Sequence, residues 1–399
     1  MSGLGENNGS REPSPQRRPR RRRTIVIASI TACVGVAAGI TLSTLMNGDR
    51  SSRDTSMADR AHGVTQPTGD TSGGMITPSP SASKVGGATT APTPKGPCRV
   101  GPGLVPTCGA LWGVSPDSDG LATLERRTGR KFDLVQVWHG IDQGDVPRPP
   151  ERKMLADGHI LHYNFAAKNW GAGSASYADI AAGKYDSAID QAARNLKALG
   201  KPVFVTFDHE ADQKARRQRG TPQQFVAAWR HIHDRYKAAG ADNVVWVWVV
   251  TGYPGNFAQV PSLYPGNAYV DWVSWEAENG AGCPPSNRDP AKRQTFEQLV
   301  SPFYKWLKSD GVHAGIDASK PYMITGFGTI AYPSDPGLSA RWYRDVPAVL
   351  KKYPQIKAVQ LWNSSLGPTC DFRITTNPQT TKAFATAGAA PHVNPKLTH

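Results

Sequence analysis

Between residues 98 and 390, short apolar runs alternate with longer stretches patterned at helical spacing. The runs 110–114 ALWGV, 133–138 DLVQVW, 159–165 HILHYNF, 202–207 PVFVTF, 243–250 NVVWVWVV, 269–275 YVDWVSW, 321–325 PYMIT and 357–362 KAVQLW make eight candidate strands. Several are almost continuously apolar, as strands covered on both faces must be. Of the intervening helices, TPQQFVAAWRHIHDRYKAAG is the clearest. Thr221 reads as its N-cap, Pro222 as the first helical residue and Gln224 as the partner in a capping box. Phe225, Trp229, Ile232 and Tyr236 recur on one face, and Gly240 ends the run. His231 and His233 are two apart, so they do not share a helix face, and both read as solvent-facing. Residues 187–200 and 294–311 repeat the helical pattern. Eight strands separated by helices predict an α/β fold, a (βα)8 TIM barrel spanning 98–390. An open doubly wound sheet fits less well, because no G-x-G-x-x-G opens a helix after the first strand.

The N-terminal quarter follows a different pattern. RRPRRRR at 17–23 precedes residues 24–46, TIVIASITACVGVAAGITLSTLM, which carry no charge. That length exceeds the roughly 20 apolar residues needed to span a bilayer as a helix. The Arg-rich flank predicts a cytoplasmic basic tail over 1–23 and export of everything that follows. A retained transmembrane signal anchor over 24–46 is the expectation, with a long cleaved signal peptide as the alternative. Residues 47–97 are rich in Ser, Thr, Gly and Pro and predict a disordered linker, which cannot bury enough apolar surface to order itself. The expected location is the cell membrane, single-pass with the domain outside the cytoplasm, or secretion if the segment is cleaved.

Charge and cysteines change this picture little. The formal charge is +14, but seven Arg and two Glu place +5 of it in residues 1–23. No zinc-finger spacing, recognition helix or RNA-binding aromatic motif is present, so no nucleic-acid partner is expected. Four cysteines, Cys98, Cys108, Cys283 and Cys370, lie in the domain, an even number suited to an oxidising compartment. Three pairings are possible; Cys98 with Cys108 and Cys283 with Cys370 is the expected one. No metal-ligand spacing appears, and no cofactor is implied.

In a barrel the chemistry gathers at the C-terminal ends of the strands. The fourth strand runs into TFDHEADQ, which places Asp208, His209, Glu210 and Asp212 together. A carboxyl in such a cleft has its pKa raised by desolvation and by neighbouring acids, which is what a general acid requires. His209 is positioned to orient Glu210 or to bind a hydroxyl. The bland alternative is a solvated loop of acids. Aromatic residues supply the second signal. Trp138 and His139 end the second strand, Trp170 follows the third, Trp275 ends the sixth and Trp362 the eighth. Flat rings around a mouth suit sugar faces, whereas Trp246 and Trp248 inside strand five read as core. KARRQR at 214–219 reads as a solvated loop, with contact to an anionic polymer as the alternative.

The stretches KPVFVTFDHEADQ, TPQQFVAAWRHIHDRYKAAGADNVVWVWVVTGYPG, YPGNAYVDWVSW and DFRITTNPQTTKAFA carry a resemblance to glycoside hydrolase family 26, covering roughly residues 105–390. Members of that family are endo-acting β-mannanases, with some β-glucanases and β-xylanases. The resemblance implies that Glu210 is the general acid/base, with His209 beside it, and that Trp362 is a sugar platform. The family nucleophile is a Glu in a pattern like K-P-x-M-x-x-E-F-G, and this chain reads KPYMITGFG, with Gly326 in the nucleophile position. The sixth strand departs as well. In place of a D-x-Y-N-like ending it has WEAEN, which brings Glu276 and Glu278 to that part of the mouth.

Two functions follow. One is an extracytoplasmic glycoside hydrolase acting on a β-linked polysaccharide, with Glu210 as acid/base and Glu276 or Glu278 as substitute base or nucleophile. The other is a catalytically silent glycan-binding protein. In either case a monomer with Trp138, His139, His209, Trp275 and Trp362 as substrate contacts is expected.

Overall fold

The computed structural model describes residues 97–116, 119–169, 173–283 and 289–397. The expected tail, membrane segment and nearly all of the linker lie outside these residues. Among the described residues no helix is long and apolar enough to cross a membrane.

Eight parallel strands close into a barrel: β1 (Leu111–Pro116), β2 (Leu134–Gly140), β3 (Ile160–Ala166), β4 (Val203–Phe207), β5 (Val244–Val250), β6 (Trp272–Asn279), β7 (Tyr322–Thr329) and β8 (Ile356–Asn363). Each pairs with its neighbours in sequence, and β8 returns to β1. The helices α1 (Leu121–Thr128), α2 (Pro149–Ala156), α3 (Tyr177–Ala181), α4 (Asp186–Lys197), α5 (Pro222–Ala238), α6 (Phe296–Trp306), α7 (Pro336–Lys352) and α8 (Pro378–Gly388) follow the strands. Between β5 and β6 only short 3₁₀ turns intervene. The predicted α5 start is observed: Gln224 N donates to Thr221 Oγ1 at 3.2 Å and Thr221 N to Gln224 Oε1 at 2.8 Å.

Period-two alternation divides the strand side chains into two sets. Outward residues such as Val135, Tyr163, Val205, Trp246 and Phe327 join the helices in one large core. Inward residues Leu111, Leu134, Ile160, Phe204, Val247, Trp272, Met323 and Ala358 fill the lower barrel. Leu104 joins this inner set, and Trp272 Nε1 donates to Gly103 O at 2.7 Å nearby. Further along the strands the inward positions turn polar: Gln136, His162, Asn164, Thr206, Ser274, Thr325 and Gln360 are all buried. His162 is held between Gln360 Oε1 (3.2 Å) and Thr206 Oγ1 (2.7 Å), and burial lowers its pKa to about 4.

Both expected disulfides are formed. Cys98–Cys108 clips the start of the domain, and Cys283–Cys370 ties the loop after β6 to the loop after β8. His231 and His233 are not solvent-facing as expected. His231 Nε2 lies 2.6 Å from Asp186 Oδ1, and the His233 ring packs on Trp246 and Tyr269.

Candidate active site at the C-terminal mouth of the barrel

The loop after β4 carries two of the three described non-glycine residues with positive φ, Asp208 (41°) and Glu210 (55°). Left-handed backbone is strained for such residues and persists only where surrounding contacts over-determine it. Those contacts are present. Asp208 N donates to Phe165 O at 2.8 Å and Glu210 N to Val249 O at 2.9 Å, which bridge β4 to both neighbouring strands. The buried Asp208 carboxylate accepts from Ala167 N (3.0 Å), Tyr177 Oη (2.6 Å) and the guanidinium of Arg219. Burial alone would raise its pKa, but Arg219 and Arg216 hold it below the ordinary value. Asp212 is tied to the end of β5 through Thr251 N (2.9 Å) and Asn256 Nδ2 (3.1 Å). These acids are therefore structural anchors and not a solvated loop.

Glu210 is what the anchors position. It is 9% exposed, accepts a hydrogen bond from Gln213 Nε2, and lies 3.5 Å from His209 Nε2. Burial pushes its pKa up to about 7; the nearby Arg216 charge opposes this and Asp212 adds to it. Burial, reinforced by Arg216, holds His209 well below its ordinary value, so the imidazole is neutral. The His209 ring also meets Trp138 edge-on with centroids 4.6 Å apart, and Trp138 Nε1 donates to Ser115 Oγ at 3.1 Å.

β6 and β7 extend past the ends predicted for them, to Asn279 and Thr329, so Glu276, Glu278 and Gly326 lie on strands. The register between them breaks at this point. Trp275 pairs with Ile324 and Ala277 with Phe327, so Thr325 and Gly326 together oppose the single residue Glu276. On the other side, Gln360 pairs with Thr325 and Leu361 with Phe327, which again leaves Gly326 as the extra residue. This is a β-bulge with glycine at φ 79°, a conformation that glycine adopts without steric cost. A Cβ placed on Gly326 would overlap Glu276 Oε2 and lie 3.1 Å from Glu278 Oε1. Both β6 carboxylates thus converge on the space a β7 side chain would enter. Neither has a hydrogen-bond or ion-pair partner among the described residues. Burial, then the proximity of Glu210, pushes both well above the usual carboxyl range; for Glu276 the charges of Glu278 and Asp212 add further.

The aromatic expectations divide. Trp362 lies on the inward side of β8, with its ring 5.0 Å from Phe372, and Trp138 stands against His209. Trp275 points outward instead: it is 0% exposed and packs on Phe303 of α6 and Tyr322. His139 is 1% exposed, with Nε2 2.9 Å from Glu151 Oε1 on α2 and its ring beside Phe165. Alternation explains both. Each immediately adjoins an inward residue, Glu276 or Trp138, and must face the other way. Trp246 and Trp248 are core, as expected, and Trp170 lies outside the described residues. Among the described residues no group of three or more His, Cys, Asp or Glu is arranged to hold a metal ion.

No family model matches the chain. A solved GH26 β-mannanase from Bacteroides ovatus aligns with a TM-score of 0.53, covering 73% of this chain and 90% of that one at 15% identity. The domain has the fold of a family 26 β-mannanase. A Cellulomonas fimi endo-β-1,4-mannanase double mutant aligns with a TM-score of 0.51 at 16% identity, over 71% of this chain and 73% of its own. By sequence, Endoglucanase H of Acetivibrio thermocellus is 28% identical over 297 residues, 72% of this chain and 31% of that protein. Beta-1,3-xylanase TXYA of a Vibrio species is 31% identical over 97 residues, 24% of this chain and 21% of that protein. The chain therefore spans about a third or less of the length of these two curated relatives.

Within this family 26-like barrel, sequence reasoning missed how the KARRQR segment is used. It forms a 3₁₀ turn, Lys214–Arg219, in which Arg216 and Arg219 are buried. Gln213 and Tyr177 were not singled out either, because neither their type nor their spacing signals contact with an acid.

Proposed function

We propose that the domain is a glycoside hydrolase acting on a β-linked polysaccharide, with Glu210 as general acid/base and Glu276 as the second carboxylate. The observation that carries this reading is the convergence of Glu276 and Glu278 on the space beside Gly326. The carboxyl that the family pattern would supply from β7 is supplied here from β6. Glu210, with a pKa near 7, is protonated often enough at neutral pH to donate its proton to the glycosidic oxygen as the C1–O bond breaks. Glu276, ionised, either attacks the anomeric carbon or takes a proton from an attacking water. The anomeric configuration of the product separates these routes, because attack by the carboxylate followed by hydrolysis of the glycosyl-enzyme bond inverts twice and retains it, whereas direct attack by water inverts it. Three carboxyls share one desolvated mouth, so they do not all ionise together, and in this reading one of the two β6 acids keeps its proton while the other is ionised.

Trp138, Trp362 and the neutral His209 form the sugar-binding side of this reading. The mannanase and glucanase names of the similar proteins favour a β-linked polysaccharide as substrate. The uncharged segment 24–46 and the two disulfides support a domain displayed outside the cytoplasm on a membrane anchor. A silent glycan-binding protein is the competing reading, favoured by the missing side chain at Gly326. Release of reducing ends from mannan, mixed-linkage glucan or xylan separates the two, since a silent binder retains the polymer without cutting it.

A further inference from the structure

Arg216 is 8% exposed, yet its guanidinium makes no hydrogen bond or ion pair among the described residues, and its Nε is sealed away without a partner. Desolvating a cation is unfavourable unless an opposite charge or several acceptors compensate. The carboxylates of the same loop are engaged by other groups. Asp208 is taken by Arg219 and Tyr177, Asp212 by Thr251 and Asn256, and Glu210 by Gln213. The turn that carries Arg216 is braced on the acid itself, because Arg216 N donates to Gln213 O at 2.9 Å and Gln213 N to Glu210 O at 2.9 Å. Arg216 lies on the turn that directly follows the Asp208–Asp212 loop at the C-terminal end of β4, and its charge acts on Asp208, His209 and Glu210. A planar guanidinium held in this way is suited to a two-pronged contact with a carboxylate or a sulfate.

We propose that Arg216 binds an anionic substituent of the glycan, a uronate carboxylate or a sulfate ester, beside the scissile bond, so that the cleft is built for an acidic β-glycan. This rests on the reading of the Glu210 mouth as a glycan cleft. The arrangement has a catalytic consequence. An anion docked on Arg216 offsets the positive charge that draws the Glu210 proton away, so the acidic substrate itself favours the protonated acid.

The test uses the full-length chain and four polymers: a glucuronate-bearing β-glycan and its carboxyl-reduced form, and a sulfated β-glycan and its desulfated form. One acidic polymer is expected to be cut with a kcat/KM at least about tenfold above its neutral counterpart, equivalent to ~1.4 kcal/mol. Arg216→Gln should remove that preference, mainly through KM, and Arg216→Lys, which keeps the charge but not the fork, should retain part of it. Equal turnover of acidic and neutral polymers by the unmodified protein overturns the proposal, as does a preference that survives in Arg216→Gln. Calorimetric titration of the same four polymers separates this proposal from the hydrolase reading. Binding of an acidic polymer alone, without turnover, upholds the Arg216 site and removes hydrolysis. Binding of neutral polymers alone, or of none, removes the Arg216 site.

Discussion

The Glu276 carboxylate fills the space into which a side chain on Gly326 would project. The two residues face each other across a β-bulge, in which Thr325 and Gly326 of β7 oppose Glu276 of β6. A carboxylate on β6 and a glycine at the bulge are therefore one arrangement, and a side chain added at Gly326 would displace the Glu276 carboxylate.

Gly326→Glu should not create or raise activity. The new side chain would sit at φ 79° and collide with Glu276, and left-handed backbone at a non-glycine residue costs about 1–3 kcal/mol. The expected result is a lower melting temperature and reduced turnover. A gain in activity would mean that β6 has not taken over the role.

The pH profile should report Glu210. Its proton is needed by the leaving oxygen and its pKa is about 7, so kcat/KM should fall as pH rises through that value. Glu210→Gln should lower turnover by roughly 10²–10⁴-fold, the usual contribution of a general acid, with the fold unchanged. An alkaline limb unchanged from neutral to pH 9 would exclude Glu210 as the titrating acid.

The unpartnered acids of β6 should cost stability at neutral pH. A folded-state pKa above the unfolded one means that the native protein binds more protons, so stability is greatest below the ordinary carboxyl value and falls as pH rises above it. Glu276→Gln should therefore melt higher than the unmodified protein at pH 7, by an amount equivalent to roughly 1–3 kcal/mol, and about equally at pH 4. Calorimetric melting at both pH values measures the difference.

Trp275 and Trp362 should differ in whether their loss affects binding. Trp362→Ala should weaken polysaccharide affinity by about tenfold, or ~1.4 kcal/mol, and also lower the melting temperature, because the ring is 6% exposed and packs on Phe372. Trp275→Ala removes a fully buried ring from the β6–α6 contact and should cost about 3–5 kcal/mol of stability. Binding isotherms alongside melting curves make the distinction.

These contrasts mark how far the sequence could be read. Apolar runs and capping residues encode local structure, and they were enough to place eight strands and the α5 start. Glu210 was legible as a candidate because an acid cluster directly after an apolar strand falls at the C-terminal mouth of a barrel. Side-chain direction was harder. Trp275 and Trp362 both end a predicted run, but β6 continues beyond its run, and alternation then turns Trp275 outward. The bulge at Gly326 was hidden, since it depends on pairing with both neighbouring strands. Arg216 and Arg219 read as a solvated charge run because their burial, and the pairing of Arg219 with Asp208, are tertiary features that a run of basic residues does not signal.

The most direct measurement of the central claim is reducing-end release from mannan, mixed-linkage glucan and xylan by the unmodified protein, Glu276→Gln and Glu278→Gln. The account predicts turnover of at least one polymer by the unmodified protein. It also predicts a loss of at least about 100-fold in Glu276→Gln, as expected when a positioned catalytic group is removed. Activity unchanged in both variants, or no turnover of any polymer by a protein that still binds one, would contradict it.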